Sequence, residues 1–348
     1  MIDSKNDIGI VLTLMPDCHI GNLVVSLPAL VALRDHYQNI PHYFIIDSAF
    51  KEIVETLIDP KYTLFYPRRA IRQGNIFKRA WIYVQFMRRV QKLNPDLVID
   101  LEGGATSATI AKICGAKIRL SKKYPGRPSV YTHKAEMPEG KHKVFDYNAI
   151  AAATGASVSD EMFRFFPDSH KKEKVDFLLK QAGVDFAKPL VVIHPGAGRL
   201  QKLWTISGFV EVVDWLTLQG CQVVFVGGPA EVERAEEVIA NLARPVFSFA
   251  GKLSLGELLP LLERSTVFLG NDSGPMHMAA AMGIPVVAMF SYADDLEWGP
   301  RSEHFVVLRG QDVCVPCVKK KCTDPRCINT LSPGLVKGAL GSFLGGNH

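Results

Sequence analysis

No apolar run in the 348 residues approaches the roughly 18 that a membrane-spanning helix needs, which excludes a helical transmembrane protein. Asp-x-Asp occurs nowhere, so the paired carboxylates through which many enzymes hold a metal on a nucleotide diphosphate are missing. A secretory leader opens with positive charge, whereas here Asp3 and Asp7 precede the first apolar stretch, Ile8 to Leu14; no ordinary signal peptide is expected. Between Asp59 and Asp96 there is no acidic side chain.

That acid-free interval is filled by Lys61, Arg68, Arg69, Arg72, Lys78, Arg79, Arg88, Arg89 and Lys92, interleaved with Tyr62, Phe65, Tyr66, Phe77, Trp81, Tyr83 and Phe86. A second basic stretch, Arg119 to Lys143, sets Lys122, Lys123, Arg127, Lys134 and Lys141 against only Glu136 and Glu139. Cationic side chains among aromatics suit anionic lipid headgroups or an acceptor that carries phosphates and carboxylates. The plainer alternative is a solvated helix face. Nucleic acid fits poorly, because no recognised binding motif accompanies the charge and the net balance is only +5.

Seven cysteines divide unequally. Cys18, Cys114 and Cys221 are scattered and read as small buried residues. Cys314, Cys317, Cys322 and Cys327 form C-x2-C-x4-C-x4-C in a Pro- and Lys-rich segment, a spacing open to structural thiols, to disulfides in an oxidising compartment, or to zinc or iron. None of these gives the segment a catalytic role.

The most informative stretch is Phe268 to Phe290. An apolar strand ends at Leu269, Asn271 to Gly274 turn, Pro275 takes a position that tolerates proline at a helix start, and a short helix runs to Gly283 before a second strand. Free N–H groups and the positive end of the helix dipole suit a phosphate or diphosphate, with Asp272, Ser273 and His277 within one turn of that point. The bland alternative is an ordinary strand–turn–helix unit with a capping side chain. Leu190 to His194 repeats the design: a buried strand, then Pro195-Gly-Ala-Gly198, then a helix capped by Thr205. Lys202 in that connection supplies a positive charge without metal coordination.

Strand candidates alternate with helical patterns throughout. The first half offers Ile8–Leu14, Tyr43–Ile46, Thr63–Phe65 and Leu97–Leu101; the second offers Leu190–His194, Cys221–Val226, Val246–Ser248, Val267–Leu269 and Val286–Phe290. Such alternation predicts parallel sheets covered on both faces. Length and 47% hydrophobic content suffice for two cores, and the charged, then turn-like stretch Lys171 to Pro189 predicts a boundary giving domains 1–180 and 181–348. No close internal repeat is visible.

Taken together, Ile20-Gly-Asn-Leu-Val-Val-Ser-Leu-Pro-Ala-Leu30, Asp96 to Gly103, His194-Pro-Gly-Ala197 with Lys202 and Trp204, Gly227-Gly-Pro-Ala-Glu231, Gly251 to Leu255 and the turn at Asp272 resemble the ADP-heptose:lipopolysaccharide heptosyltransferases, glycosyltransferase family 9. The resemblance implies an α/β fold of the GT-B class, two doubly wound Rossmann-like domains facing across a cleft, the first for the acceptor and the second for an ADP-sugar donor. It implies inverting transfer of heptose to a lipopolysaccharide core or related glycan, with no required cofactor, by a cytoplasmic protein peripheral on the inner face of the inner membrane. By position, Gly196, Ala197 and Lys202 would touch the diphosphate, Glu231 the ribose, and the Leu253 backbone the base. Asp272 would hold sugar hydroxyls, and Ser273, Gly274 and His277 would complete the phosphate end.

One position departs from the family. Where its members carry Gly-Asp at the start of the first helix, the aspartate being the presumed base, this chain has Gly21-Asn22. An amide takes up no proton at useful pKa. Asp17 and His19, in the same loop, are the candidates to replace it. Three readings stand: an active transferase with a relocated base, a nucleotide-sugar-binding relative serving as partner or regulator, and a transferase that uses another nucleotide sugar.

Overall fold

Val11-Leu-Thr-Leu-Met15 is buried at every residue, the mark of a strand covered on both faces rather than one half open to water. In the computed structural model, which describes residues 8–122, 129–140, 142–159, 161, 163–311, 314, 317 and 321–345, it is the first of six parallel strands. These are β1 (Val11–Met15), β2 (His42–Asp47), β3 (Thr63–Tyr66), β4 (Leu97–Asp100), β5 (Ile118–Lys122) and β6 (His133–Ala135), in the order 3-2-1-4-5-6. Their helices are α1 (Ile20–His36), α2 (Lys51–Val54), α3 (Arg68–Arg72), α4 (Ile76–Leu93), α5 (Ala105–Ile113) and α6 (Lys143–Ala152). Leu12, Leu14, Ile45 and Val98 form a core with Phe86, Met87 and Val90 of α4 and Ile110 of α5.

The second unit opens with α7 (Ser169–Ala182) and continues through β7 (Leu190–His194), α8 (Ile206–Leu218), β8 (Gln222–Phe225), α9 (Val232–Ala240), β9 (Phe247–Ser248), α10 (Leu255–Glu263) and β10 (Val267–Asn271). It ends with α11 (Gly274–Ala281), β11 (Val286–Met289), α12 (Asp295–Trp298), β12 (Phe305–Leu308), α13 (Arg326–Asn329) and α14 (Pro333–Leu344). Its sheet is also parallel, ordered 12-11-10-7-8-9. Counted from each unit's first strand, the two orders are the same. Trp204, Phe209 and Val213 pack with Phe225, Leu269 and Met289 in its core.

Several expectations are corrected. The units divide as Met1–Glu161 and Met162–His348, because α7, expected to close the first half, packs on α10 of the second. β5, β6 and β12 escaped notice, since Ile118-Arg-Leu-Ser-Lys122 and His133-Lys-Ala135 are too polar to stand out and β12 is short and partly open at the sheet edge. The β10 strand runs two residues beyond Leu269, so Asn271 is strand, not turn. The stretch from Phe50 to Leu57, helical in its apolar pattern, forms only a single turn at Ser48–Phe50 followed by the short α2.

Polar groups inside the first unit are neutral or paired. His42 is buried beside the Tyr37 and Phe44 rings with Nε2 2.8 Å from the Thr13 hydroxyl. Burial lowers its pKa to about 3, so the folded protein keeps it uncharged while the unfolded chain protonates it near 6.5. The unfolded state then binds the extra proton, and this contribution to stability is lost as pH falls from about 6.5 towards 3. Urea unfolding of wild type and His42→Gln across that range should show the wild-type advantage shrinking by about 2–4 kcal/mol on acidification. A constant difference would mean that His42 titrates alike in both states.

Candidate active site

Open parallel sheets take ligands beyond the carboxyl ends of their strands, where the strand order reverses. In the second unit that place lies between β7 and β10, which are neighbours although three strands apart in sequence. The loops following β7, β8, β9 and β10 all leave this edge. They carry every expected donor residue: Gly196, Ala197 and Lys202 after β7, Glu231 after β8, Leu253 after β9, and Asp272, Ser273, Gly274 and His277 after β10.

Asn271 organises the edge. Fully buried, it accepts from the Trp204 N–H at 3.1 Å through its side-chain oxygen, and its side-chain nitrogen donates to the Pro195 and Gly196 carbonyls at 2.9 and 3.1 Å. Arg234 of α9 adds a 2.9 Å bond to the same Pro195 carbonyl and another to the Trp204 carbonyl. The indole of Trp204 is buried and donates to the Leu331 carbonyl at 3.1 Å. Thus both ends of the 195–204 loop are tied down, and the loop can present backbone without collapsing.

Lys202 sits in a single helical turn, Leu200–Lys202, just before Trp204, and its ammonium lies 2.5 Å from the Asp272 carboxylate. Two residues expected to act separately on phosphate and sugar are therefore partners. With 22% of the lysine and 7% of the aspartate side chain exposed, the pair is sheltered yet reachable. At the head of α11 the Ser273 hydroxyl does not cap the helix but pairs with Nδ1 of His194 at 3.1 Å. Burial lowers the His194 pKa to about 4, so the imidazole is neutral at ordinary pH. The first N–H groups of α11, less the one that Pro275 lacks, stand at the positive end of the helix dipole without a side-chain cap. His277 is buried in the helix behind them.

Glu231 has two attachments. Its carboxylate accepts from the Gly228 N–H at 2.5 Å, which is the capping role of a helix-opening glutamate. Its side chain also lies against Gly196, where an added Cβ would collide with it and approach the His194 ring to 3.1 Å. Glycine at 196 is thus required by close approach. Leu253 is half-buried in the turn after Gly251, a residue at φ +72° whose N–H donates to the Gly227 carbonyl at 2.8 Å.

In the first unit the reversal falls between β1 and β4. Asn22 is half-buried in the first turn of α1, and His19 is the exposed residue that precedes it, without a side-chain cap bond. Asp17 is not disposed as a free base. Its carboxylate meets Arg68 Nε at 2.5 Å, Arg72 Nη2 at 2.6 Å and the Thr106 hydroxyl at 3.3 Å. Arg68 also binds Asp47 at 3.3 Å and the Cys18 carbonyl at 3.1 Å. Arg68 and Arg72, expected to face an acceptor or membrane, instead tie α3 to the β1–α1 loop.

The second basic stretch is partly tied to internal partners, although Lys134 is exposed. Arg119 bonds the Val130 carbonyl at 2.5 Å and the Ala116 carbonyl, and Lys122 lies 3.6 Å from Asp146. Lys123, Arg127 and Lys141 lie outside the described residues. Cys314, Cys317, Cys322 and Cys327 are all unbridged, and among the described residues no three His, Cys, Asp or Glu stand so as to hold a metal ion. Burial, with the neighbouring thiols, pushes the Cys327 thiol up. Sequence reasoning missed Asn271 and Arg234. The single arginine in the otherwise acidic Val-Glu-Arg-Ala-Glu-Glu run of α9 was the available signal.

Two similar doubly wound units of parallel strands and flanking helices define an α/β fold of the GT-B class. Residues 83–327 match the family model "Glycosyltransferase family 9 (heptosyltransferase)", and the chain belongs to that family; it is a glycosyltransferase. It is 27% identical over 297 residues to lipopolysaccharide heptosyltransferase 3 of Escherichia coli K12, covering 82% of this chain and 84% of that protein. Among solved structures it is similar to a family 9 glycosyltransferase of Veillonella parvula (TM-score 0.82, 21% identity, 96% of each chain). It is also similar to E. coli heptosyltransferase WaaC with ADP (TM-score 0.72, 18% identity, 96% of this chain and 99% of that one).

Asn271→Ala should strip the Trp204 N–H and the Gly196 carbonyl of this partner, at about 1–3 kcal/mol each before relaxation, and leave the Pro195 carbonyl to Arg234. A loss of at least about 2 kcal/mol in urea unfolding is expected. Asn271→Asp should be as harmful, because a carboxylate has no N–H to give to the two carbonyls. Wild-type stability in both variants would show that the loop holds itself.

Proposed function

We propose that this glycosyltransferase moves a heptosyl group from an ADP-sugar to a lipopolysaccharide-core acceptor, with inversion at the anomeric carbon. The Lys202–Asp272 pair at the uncapped start of α11 carries this reading. A diphosphate arriving there meets the ammonium and the helix N–H groups, and Lys202 can bridge a phosphate oxygen and Asp272. Charge that grows on the leaving diphosphate is then held by groups already oriented. Asp272, freed in part from the lysine, accepts hydrogen bonds from sugar hydroxyls, and Glu231 beside Gly196 takes the ribose. The relatives' names supply the heptose and the lipopolysaccharide acceptor, and a similar E. coli structure was solved with ADP.

Helix α4 supports an acceptor borne on a membrane. Its buried face carries Phe86, Met87 and Val90, while Ile76, Phe77, Trp81 and Val84 form a second, exposed apolar patch, Phe77 at 81% and Trp81 at 64%. Exposed Lys78, Arg88, Arg89 and Lys92 lie on the same helix. Aromatics with flanking cations suit the interface of an anionic bilayer, and docking at the inner face of the inner membrane would keep the protein peripheral.

Two measurements test these assignments. Calorimetric titration with ADP in EDTA should show binding, and Lys202→Ala should weaken it by about 1.5–3 kcal/mol, roughly 10–150-fold. Binding that depends wholly on added Mg²⁺ would overturn the lysine's role. For the membrane, Phe77→Ser with Trp81→Ser should reduce sedimentation with phosphatidylglycerol vesicles at least about tenfold, each aromatic contributing about 1.5 kcal/mol or more when inserted. Equal sedimentation of wild type and double variant would make α4 a solvated face.

A further inference from the structure

We infer that Glu102, in the loop after β4, is the general base that takes the acceptor's proton; this rests on the transfer reading above. The reversal of strand order in the first sheet sets the β4–α5 loop, with Glu102, beside the β1–α1 loop, with Asp17, Cys18 and His19. One carboxylate oxygen of Glu102 accepts from the Asp17 N–H at 2.9 Å, which anchors the side chain across these two loops. The other oxygen lies against Gly104, where an added Cβ would come within 2.9 Å of it. Gly103 beside it is in the left-handed region at φ +65°, a turn that lets the chain double back over the carboxylate.

Asp17, Asp47 and Asp100 nearby each have partners of their own. Asp17 is engaged by Arg68, Arg72 and Thr106. Asp47 faces Arg68 and accepts from the Ala49 N–H at 3.0 Å. Asp100 is fully buried, accepting from the Glu102 and Gly103 N–H groups at 3.0 and 2.8 Å and from the Tyr131 hydroxyl. Glu102 is partly buried and still reaches the surface of its unit.

Its surroundings match a base to neutral pH. Burial first, then the charges of Asp100 and Asp17, raise its pKa from 4.5 to about 7, against the Asp17 N–H bond and the attraction of Arg68. The Cys18 thiol beside it is itself held protonated by burial and by Glu102. A carboxyl that titrates near the working pH combines a useful fraction of anion with real proton affinity. In the step itself, Glu102 takes the proton of an acceptor hydroxyl as that oxygen bonds to the anomeric carbon. The bond from that carbon to the diphosphate breaks, and the diphosphate departs with the electron pair. The protonated carboxyl then returns its proton to water.

This assignment answers the departure at Asn22. An amide there hydrogen-bonds without a proton to lose, and the carboxylate function passes to the neighbouring strand end.

The test is Glu102→Gln, whose amide oxygen can keep the Asp17 N–H bond. With ADP-heptose and core acceptor, kcat should fall by about 10²–10⁴ while calorimetric ADP affinity and the thermal midpoint stay at wild-type values. The wild-type pH profile of kcat/KM should lose activity below an apparent pKa near 7, and Glu102→Asp should keep that acid limb with reduced rate. Glu102→Gln should lose the limb. Near-normal transfer by Glu102→Gln, or an acid limb that persists in it, would overturn the assignment alone. A wild type that binds ADP but moves no sugar would overturn the transfer reading and this proposal with it.

Discussion

The amide of Asn271 is the constraint on which the carboxyl edge of the second sheet depends. It is buried beyond reach of water and offers one acceptor and two donors in a single plane, all used: the Trp204 N–H and the Pro195 and Gly196 carbonyls. A loop that approaches a ligand closely with bare backbone must satisfy its remaining polar groups from within. Asparagine does that where aspartate would orphan the Gly196 carbonyl and leucine or alanine would orphan the Trp204 N–H as well. Because Trp204 is held, Lys202 two residues earlier is delivered to Asp272, one residue beyond the asparagine. Arg234 closes the loop from α9, at the cost of desolvating its own guanidinium, which burial makes less ready to stay charged.

Both units use one strand order, and in both the candidate site residues collect where that order reverses. Parallel strands send their carboxyl-end loops to one edge, and at the reversal two loops diverge and leave space between them. The edges are electrically unlike. The second has a lysine, a neutral histidine and a helix start, suited to an anion. The first has Asp17 and Asp47 on Arg68 with Asp100 and Glu102 beside them, and burial, followed by the charges of Asp100 and Asp17, raises the pKa of Glu102 to about 7. One architecture thus carries two electrically different edges, set by the residues placed on each.

The acid-free interval from Lys61 to Lys92 also separates into two jobs once folded. Arg68, Arg72 and Arg79 are spent on internal partners, Arg79 donating to the Ile71 carbonyl at 2.7 Å. Lys78, Arg88, Arg89 and Lys92 remain exposed on α4 beside Phe77 and Trp81. A run of like charge in sequence is therefore not one surface, since Arg68 and Arg72 of the short α3 pair with Asp17 while the long α4 presents two faces.

Local chemistry determined much of this protein. The buried apolar runs declared parallel strands, Thr205 announced α8 through its 3.1 Å bond to the Gly208 N–H, and Pro275 marked the start of α11, because those signals act within a few residues. Polar β5 and β6 and the true boundary before α7 were hidden, since their places depend on pairing and packing with distant elements. Only the tertiary structure decided which charges meet. Asp17 and Arg72 are 55 positions apart, Lys202 and Asp272 are 70 apart, and Glu102 reaches the Asp17 N–H across 85. A side chain's type is written in the sequence, but its proton affinity and its partner are set by burial and by neighbours that the fold brings from far along the chain.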